Sequence, residues 1–518
     1  MMQDQVFPIT PEMLDLLAKD KALREKFDLK KPEGRRQFLI WFFQEGSDLL
    51  PLEKTQYQEA VEPKADHQRI HQWLRQSSTS VIQDQRIPLT ELLCARLYTR
   101  PDLTRKFDLN ESTGRKLFVD WCLNEGWEDF LKDFIDPQIN FTIPQTKKGV
   151  NIIGYTRAEL GLGEDARMVA LALESVHYPV AVYPIIIGHG LPGLDLSTCH
   201  LEDLTLPHPI SIFHFPGMEE FDFLRKFGVD TFQNRYSIGY WAWELEEWPK
   251  ELMSLYRMNR EIWTISNFVK NSFLDSGETK VLVVPQTVEV PLKVEPFDLA
   301  PFGVKAGTFV FSFSFSFNSS IHRKNPDAVI QAFQKAFTKN ENVALVIKVI
   351  NGSAQDPVWV AFENRVKQDP RIVLINRPLS REDTFSLMKA SDCFVSLHRS
   401  EGFGRGMAEA MLLGVPCIVT NYSGNTDFCN ETNTMLVDYK KVPVRPGEYH
   451  YLFDHQNWWA EPSVDHATHH MLEVFNDANL RARLSENGKK TIQDMYSFQK
   501  TSAFYNARLD EIQRELQI

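Results

Sequence analysis

Residues 396–428 read SLHRSEGFGRGMAEAMLLGVPCIVTNYSGNTDF. The apolar run DCFVSL (392–397) predicts a buried strand that ends near His398, and VPCIVT (415–420) predicts another. Between them a loop, HRSEGFGRG, leads into a helix, MAEAMLLG. Loops at the carboxyl ends of parallel strands are where open α/β sheets bind ligands. Glu401 lies in that loop, and Glu409 lies about two helical turns on, so both carboxylates can face one crevice. Gly402, Gly404 and Gly406 let the backbone approach a ligand closely, and the N–H groups of the helix start offer an anion site. The turn Ser423-Gly424-Asn425 repeats the arrangement after the next strand. Carboxylates that grip hydroxyls, beside amides that cradle phosphate, fit a nucleotide sugar.

Working outward, the same texture extends to Gly149. GVNIIGY, PVAVYPI, PISIFHF, RYSIGYW, EIWTIS and KVLVVP read as strands, with EDARMVALALESV as a helix after the first. A Pro- and Gly-rich stretch, 291–307, reads as a linker. TFVFSFSF, ENVALVIKVI and RIVLINR then open a second series, with PDAVIQAFQKAF and REDTFSLMKA as helices. Alternation of strand and helix implies parallel, doubly wound sheets. The expected architecture is two Rossmann-like α/β domains, 149–300 and 307–495, facing a cleft, with an amphipathic helix over 496–518.

Residues 1–135 differ. LREKFDLKKPEGRRQFLIWFFQEG (23–46) recurs as LTRKFDLNESTGRKLFVDWCLNEG (103–126). Phe27, Asp28, Leu29, Gly34, Arg35, Phe38, Trp41, Glu45 and Gly46 reappear in register as Phe107, Asp108, Leu109, Gly114, Arg115, Phe118, Trp121, Glu125 and Gly126, which implies a duplicated unit. Helical spacing of the aromatics and a terminal glycine in each copy predict a small all-α module. Arg35, Arg36, Arg115 and Lys116 read as a solvated helix surface rather than a basic face.

The chain has 518 residues, too many for one core, and a formal net charge of −12, which argues against nonspecific nucleic-acid binding. Six scattered cysteines without a C-x-x-C fit reduced thiols in a cytosolic protein. There is no apolar run long enough to span a membrane and no signal-peptide pattern at the start. A cytoplasmic protein is the expectation, with peripheral attachment at the inner face of a membrane left open.

From Gly149 onward the chain resembles the family-4 retaining glycosyltransferases of the GT-B fold, on the strength of EGFGRGMAEAMLLGVPCIVTNYSGNTDF, which is similar to their E-x7-E signature. From SLHRSEGFG to WWAEP it looks closest to a bacterial branch that builds O-antigen and exopolysaccharide glycans. The resemblance implies that Glu401 contacts the donor sugar's hydroxyls, that Phe403 and Gly404 contribute backbone amides there, and that Glu409 holds the nucleotide ribose. It implies GDP-mannose as the favoured donor, with UDP-hexoses next, and anomeric retention. In the family a Gly-Arg before the loop FSFNSSIHRK and a lysine after it grip the phosphates. Lys324 matches the lysine, Asn318 stands where the arginine is usual, and Arg323 is the candidate substitute. Two cations at a helix start suit a diphosphate leaving group. Gly161 and Gly163 match the family's loop that closes over the donor phosphate.

On the acceptor side, His214 at a strand end is either near the reaction centre or a packed structural residue. Tyr240, Trp241, Trp243 and Glu244 either line a sugar-stacking groove or belong to the core. No Asp-x-Asp pair is present for a divalent ion, and His466, His469 and His470 read as a polar helix face, so no metal and no cofactor are expected. GLGEDA also fits a dinucleotide fingerprint with Ala166 as its last position, a minor alternative. The partners expected are a nucleotide-sugar donor and a glycan, lipid-linked or protein acceptor, with self-association or a partner enzyme assigned to residues 1–135. The rival readings are a GT-B sugar-nucleotide epimerase, a glycan phosphorylase that would need a pyridoxal-phosphate lysine, and a non-catalytic scaffold acting through the repeats.

Overall fold

A computed structural model describes positions 17, 20–29, 31–41, 97, 100–109 and single positions to 121, and then most of 148–516, leaving out chiefly 186–194, 228–234 and 450–455. The chain falls into two compact units, Met1–Asp136 with Met218–Gln233, and Pro137–Gly217 with Asn234–Ile518.

In the first unit the described helices include Lys21–Lys26, Pro32–Trp41 and Pro101–Thr104, and Met218–Gln233 contributes most of helix Gly217–Phe227. Recurring aromatic, glycine and arginine positions make matching contacts in both copies. Phe27 packs on Phe38 and Trp41 with ring centroids 5.5 Å away, and Phe107 packs on Phe118 and Trp121 at 5.6 and 5.7 Å. A Cβ on Gly34 would lie 2.0 Å from the Asp28 carbonyl oxygen, and one on Gly114 would lie 2.0 Å from that of Asp108, so only glycine fits. Arg35 and Arg115 each donate from Nη1 to a leucine carbonyl, of Leu29 and Leu109, at 2.9 Å. This corrects the solvated reading of these two residues: Arg115 is buried and Arg35 half-buried, because each closes a turn. Glu45, Gly46, Glu125, Gly126 and Lys116 lie outside the described residues, as does the side chain of Arg36.

The second unit has two parallel six-stranded sheets with helices between strands, an α/β GT-B architecture. The first sheet runs β2-β1-β3-β4-β5-β6, from β1 (Val150–Gly154), β2 (Val180–Pro184), β3 (Ile210–His214), β4 (Tyr236–Trp241), β5 (Glu261–Thr264) and β6 (Lys280–Val283). The second runs β12-β11-β10-β7-β8-β9, from β7 (Phe309–Ser316), β8 (Val343–Ile350), β9 (Ile372–Asn376), β10 (Cys393–Ser396), β11 (Cys417–Thr420) and β12 (Met435–Val437). Strands covered on both faces carry unbroken apolar runs, and β1 and β3 are buried at every position. In β7, FVFSFSFS alternates. Phe311, Phe313 and Phe315 enter one core with Ala328, Phe333 and Trp359, while Val310 enters another with Val346 and Leu387.

Helix Phe498–Glu515 returns from the second sheet to pack on the first-half helix Gly161–Ser175. Its anchor is electrostatic. Arg508 Nη2 lies 2.6 Å from Oε2 of the fully buried Glu261, whose Oε1 also accepts from Trp263 Nε1 at 2.8 Å. Tyr505 donates to the Pro285 carbonyl at 2.7 Å.

Candidate active site

Each sheet has one point where the chain order reverses, and ligands of open α/β sheets bind outside the strand ends at that point. In the first sheet it lies between β1 and β3, whose ends are Gly154 and His214; in the second it lies between β7 and β10, whose ends are Ser316 and Ser396.

The loop leaving β7 carries two cations. Ser320 has φ +61° and Asn325 φ +52°, and these left-handed residues bracket the single-turn helix Ile321–Lys324. Non-glycine residues hold such angles only where surrounding bonds demand it. Here Ser320 Oγ donates to the Glu448 carbonyl at 2.6 Å and accepts from Arg323 N at 3.3 Å. The result aims Arg323 and Lys324 at the loop leaving β10. Lys324 Nζ lies 2.5 Å from Glu401 Oε1, and Arg323 Nη1 lies 3.1 Å from Glu401 Oε2. Arg323 Nη2 reaches Glu244 Oε1 at 3.4 Å, and Tyr449 donates its hydroxyl to Glu244 Oε2. Burial alone would raise the Glu401 carboxyl, but Lys324 and then Arg323 outweigh it and hold it at about 2. Asn318 sits exposed on the turn Phe317–Ser319, so the guanidinium beside Lys324 is that of Arg323.

The two glycine turns interlock through their backbones. A Cβ on Gly424 would lie 1.9 Å from the Gly402 carbonyl oxygen, and Gly424 N donates to the Glu401 carbonyl at 2.9 Å. Ser423 Oγ accepts from Glu401 N at 2.8 Å. His398 is buried between them, with Nδ1 3.0 Å from Ser396 Oγ and Nε2 3.0 Å from Asn425 Oδ1. Gly404, at φ +99°, caps helix Arg405–Leu412, and Phe403 packs on Phe428 and Tyr496.

From the start of that helix Arg405 reaches the first half. Its Nε lies 2.6 Å from Asp165 Oδ1 and both Nη atoms lie 3.2 Å from the Thr287 carbonyl, while Glu409 Oε1 is 3.7 Å from Nη1. Beside it Arg381 donates to Glu164 Oε1 at 2.9 and 3.0 Å, and Glu164 also accepts from Arg167 at 2.8 Å. Burial raises Glu409 to about 7, with Arg405 opposing and Glu164 adding to the rise. Glu164 goes the other way: Arg381 and Arg167 overcome its burial and hold it at about 2. Gly163 has no room for a Cβ, which would lie 2.4 Å from the Ala158 carbonyl oxygen, whereas Gly161 faces open space.

His214 is buried at the end of β3, its ring 4.4 Å from that of Tyr240, and its Nε2 has no hydrogen-bond partner. Burial, with Arg405 nearby, lowers it to about 3, so the imidazole is neutral. The acceptor-groove reading of three aromatics is corrected. Tyr240 is buried with its hydroxyl on the Val284 carbonyl at 2.8 Å, Trp241 stacks on Trp248 and Tyr256, and Trp243 is buried against Trp248. Rings this deeply buried offer no face to a pyranose. Of that group only Glu244 reaches the cations. Both His470 nitrogens are occupied, by Glu473 and the Leu436 carbonyl, and among the described residues no His, Cys, Asp or Glu group is placed to hold a metal.

Residues 312–491 match the family described as glycosyl transferases group 1. The matched segment holds Arg323, Lys324, Glu401 and Glu409. A curated relative, the capsular polysaccharide biosynthesis glycosyltransferase CapM of Staphylococcus aureus, is 26% identical over 187 residues, covering 35% of this chain and 43% of CapM. The chain thus spans less than half the length of the curated relative it matches. Among solved structures, Anabaena HepE in complex with UDP and glucose aligns with a TM-score of 0.50 and 13% identity, over 70% of this chain and 100% of that one. A glycosyltransferase of Rickettsia africae aligns with a TM-score of 0.50 and 14% identity, over 71% and 98%. These likenesses establish the GT-B fold. Among the described residues no helix is long and apolar enough to cross a membrane.

Proposed function

We propose that the chain transfers a hexosyl group from a nucleoside-diphosphate sugar to a glycan, lipid-linked or protein acceptor in surface-polysaccharide or glycoconjugate synthesis, with retention and without a metal. The observation that carries this is the Arg323–Lys324 pair converging on Glu401 at the β7/β10 crossing, inside the segment that matches glycosyl transferases group 1. As the glycosidic bond breaks, the anomeric centre turns oxocarbenium-like and two negative charges gather on the departing diphosphate. Arg323, Lys324 and the N–H groups at Gly404 are fixed donors for that charge, and they need no reorganisation at the moment of reaction. Glu401, held ionised, orients the sugar hydroxyls, and Glu409 receives the ribose. His214, at the β1/β3 reversal of the first sheet and neutral with an unpartnered Nε2, can accept or donate one hydrogen bond to the transferring sugar. Closure excludes water, which would otherwise hydrolyse the donor.

HepE holds UDP and glucose, while the sequence resemblance favours GDP-mannose, so the base is settled by binding. A thermal-shift panel of GDP, UDP, TDP and ADP sugars should raise the melting temperature of wild type with one base and leave Glu409→Ala unmoved. A panel in which no nucleotide sugar shifts wild type would overturn the reading.

A further inference from the structure

Between β12 and helix Val464–Asn476 the second sheet is interrupted by an antiparallel pair, β13 (Tyr439–Pro443) and β14 (Trp458–Pro462). It is bonded to the first-half segment that carries Glu244. Lys441 pairs with Glu246, Asn457 Nδ2 donates to the Glu247 carbonyl at 2.9 Å, and Tyr449, from the intervening loop, holds Glu244. The same loop supplies the Glu448 carbonyl that fixes Ser320, at the root of the Arg323–Lys324 turn. The insertion therefore continues the donor site's wall outward.

Its register decides what it presents. Tyr439, Lys441 and Pro443 alternate onto one face, and Trp458 joins them opposite Pro443. Tyr439 is 36% exposed and Trp458 41% exposed, two of the few large apolar side chains exposed among the described residues. Tyr439 meets Tyr422 at a tilt, with centroids 5.0 Å apart, and stays partly exposed. Four residues of strand separate the two aromatics, about 13 Å, or roughly the span of three sugar rings. Between them lie hydrogen-bonding groups: Lys441, and Glu246, which also receives the Tyr422 hydroxyl at 3.0 Å. Spaced rings with an ion pair between them suit an occupant with alternating C–H faces and hydroxyls. A protein interface is depleted of charge at its core, whereas an ion pair stands between these two rings.

We propose that this face of the insertion, Tyr439, Lys441 and Trp458 with Glu246, is a binding platform for the acceptor's glycan chain, leading its reacting end toward Glu244 and the donor cations. The inference rests on the transferase reading above. The test is retention of the labelled full-length chain, with its stabilising nucleotide present, on a printed array of α- and β-linked hexose oligosaccharides two to six units long. Wild type should retain oligosaccharides of three or more units. Trp458→Ala and Tyr439→Ala should each weaken retention about 3- to 10-fold, Trp458→Phe should recover most of it, and the nucleotide's thermal shift should be unchanged in all three. Equal retention by wild type and the double alanine variant overturns the platform, as does no retention at all while the nucleotide still stabilises the chain. Loss of the nucleotide shift in wild type overturns the transferase reading as well, so the two failures are distinguishable.

Discussion

At the scale of single residues, Glu409 has the most testable chemistry. Its carboxyl sits at about 7 in the folded chain, above its ordinary value, because burial outweighs Arg405 while Glu164 adds to the rise. A carboxyl raised on folding binds more protons in the native than in the unfolded state. Its favourable contribution is complete below about pH 4.5 and is lost as pH rises through 7. Glu401 and Glu164 have the opposite sign, with stability present above about 4.5 and lost as pH falls toward 2. Glu409→Gln removes only the first effect. In urea unfolding, the variant should gain on wild type by about 2 kcal/mol between pH 5 and pH 8. A pH-independent difference would show that Glu409 ionises normally. Glu401 and Glu409 stood out in the sequence because glycine turns, apolar strands and a helix start surround them in one run, and Arg323 and Lys324 because they sit between a strand and a helix in another. Arg381 and Tyr449 were not, since each comes from a distant element with no local pattern to mark it. Arg405 and the Glu164-Asp165 pair stood inside quoted motifs, but only the fold shows that they face each other.

At the scale of elements, every strand of the two sheets except the three-residue edge strand β12 was readable, most of them because parallel strands buried on two faces are apolar runs. That same property hid the fate of Tyr240, Trp241 and Trp243. A two-faced strand does not alternate, so its pattern cannot tell packed rings from a groove. The pair β13 and β14 escaped notice because it is short and, in β13, polar and exposed. The glycine turns test how tightly elements depend on backbone contact. Gly424→Ala places a methyl 1.9 Å from the Gly402 carbonyl oxygen, which belongs to a neighbouring turn and cannot rotate away. Overpacking against backbone costs about 1–3 kcal/mol or more, and the displaced turn carries Glu401. The variant should unfold at lower urea and lose at least tenfold in nucleotide affinity. Wild-type affinity in a folded Gly424→Ala chain would mean that the donor loop does not depend on this interlock.

At the scale of the whole molecule, the question is what fixes the two Rossmann halves of the larger unit against each other. Weak contacts cross between them: Ser266 Oγ donates to the Gly402 carbonyl at 2.6 Å, and Asn267 N to Asp427 Oδ2 at 2.8 Å. The strongest are charged. Arg405, from the donor-side helix start, forks onto Asp165 and the Thr287 carbonyl, and Arg381 binds Glu164 and the Glu289 carbonyl. Glu164 and Asp165 stand within the first five residues of helix Gly161–Ser175, so its start and that of helix Arg405–Leu412 are held face to face. A buried ion pair adds little net stability, but removing one partner strands the other at a cost of about 3–5 kcal/mol. That cost falls on the contact between halves, because each half keeps its own core. Arg405→Gln should therefore leave the chain folded and loosen the pairing. Small-angle scattering should show a larger radius of gyration without nucleotide, and nucleotide affinity should fall about tenfold, since closure must then draw on binding energy. Arg405→Lys keeps the charge but not the planar fork that spans Asp165 and Thr287, and should fall between. An unchanged radius and affinity in Arg405→Gln would assign the closed arrangement to the contacts that remain, Arg381 with Glu164, Arg323 with Glu244, Lys441 with Glu246 and the hydrogen bonds at Ser266 and Asn267.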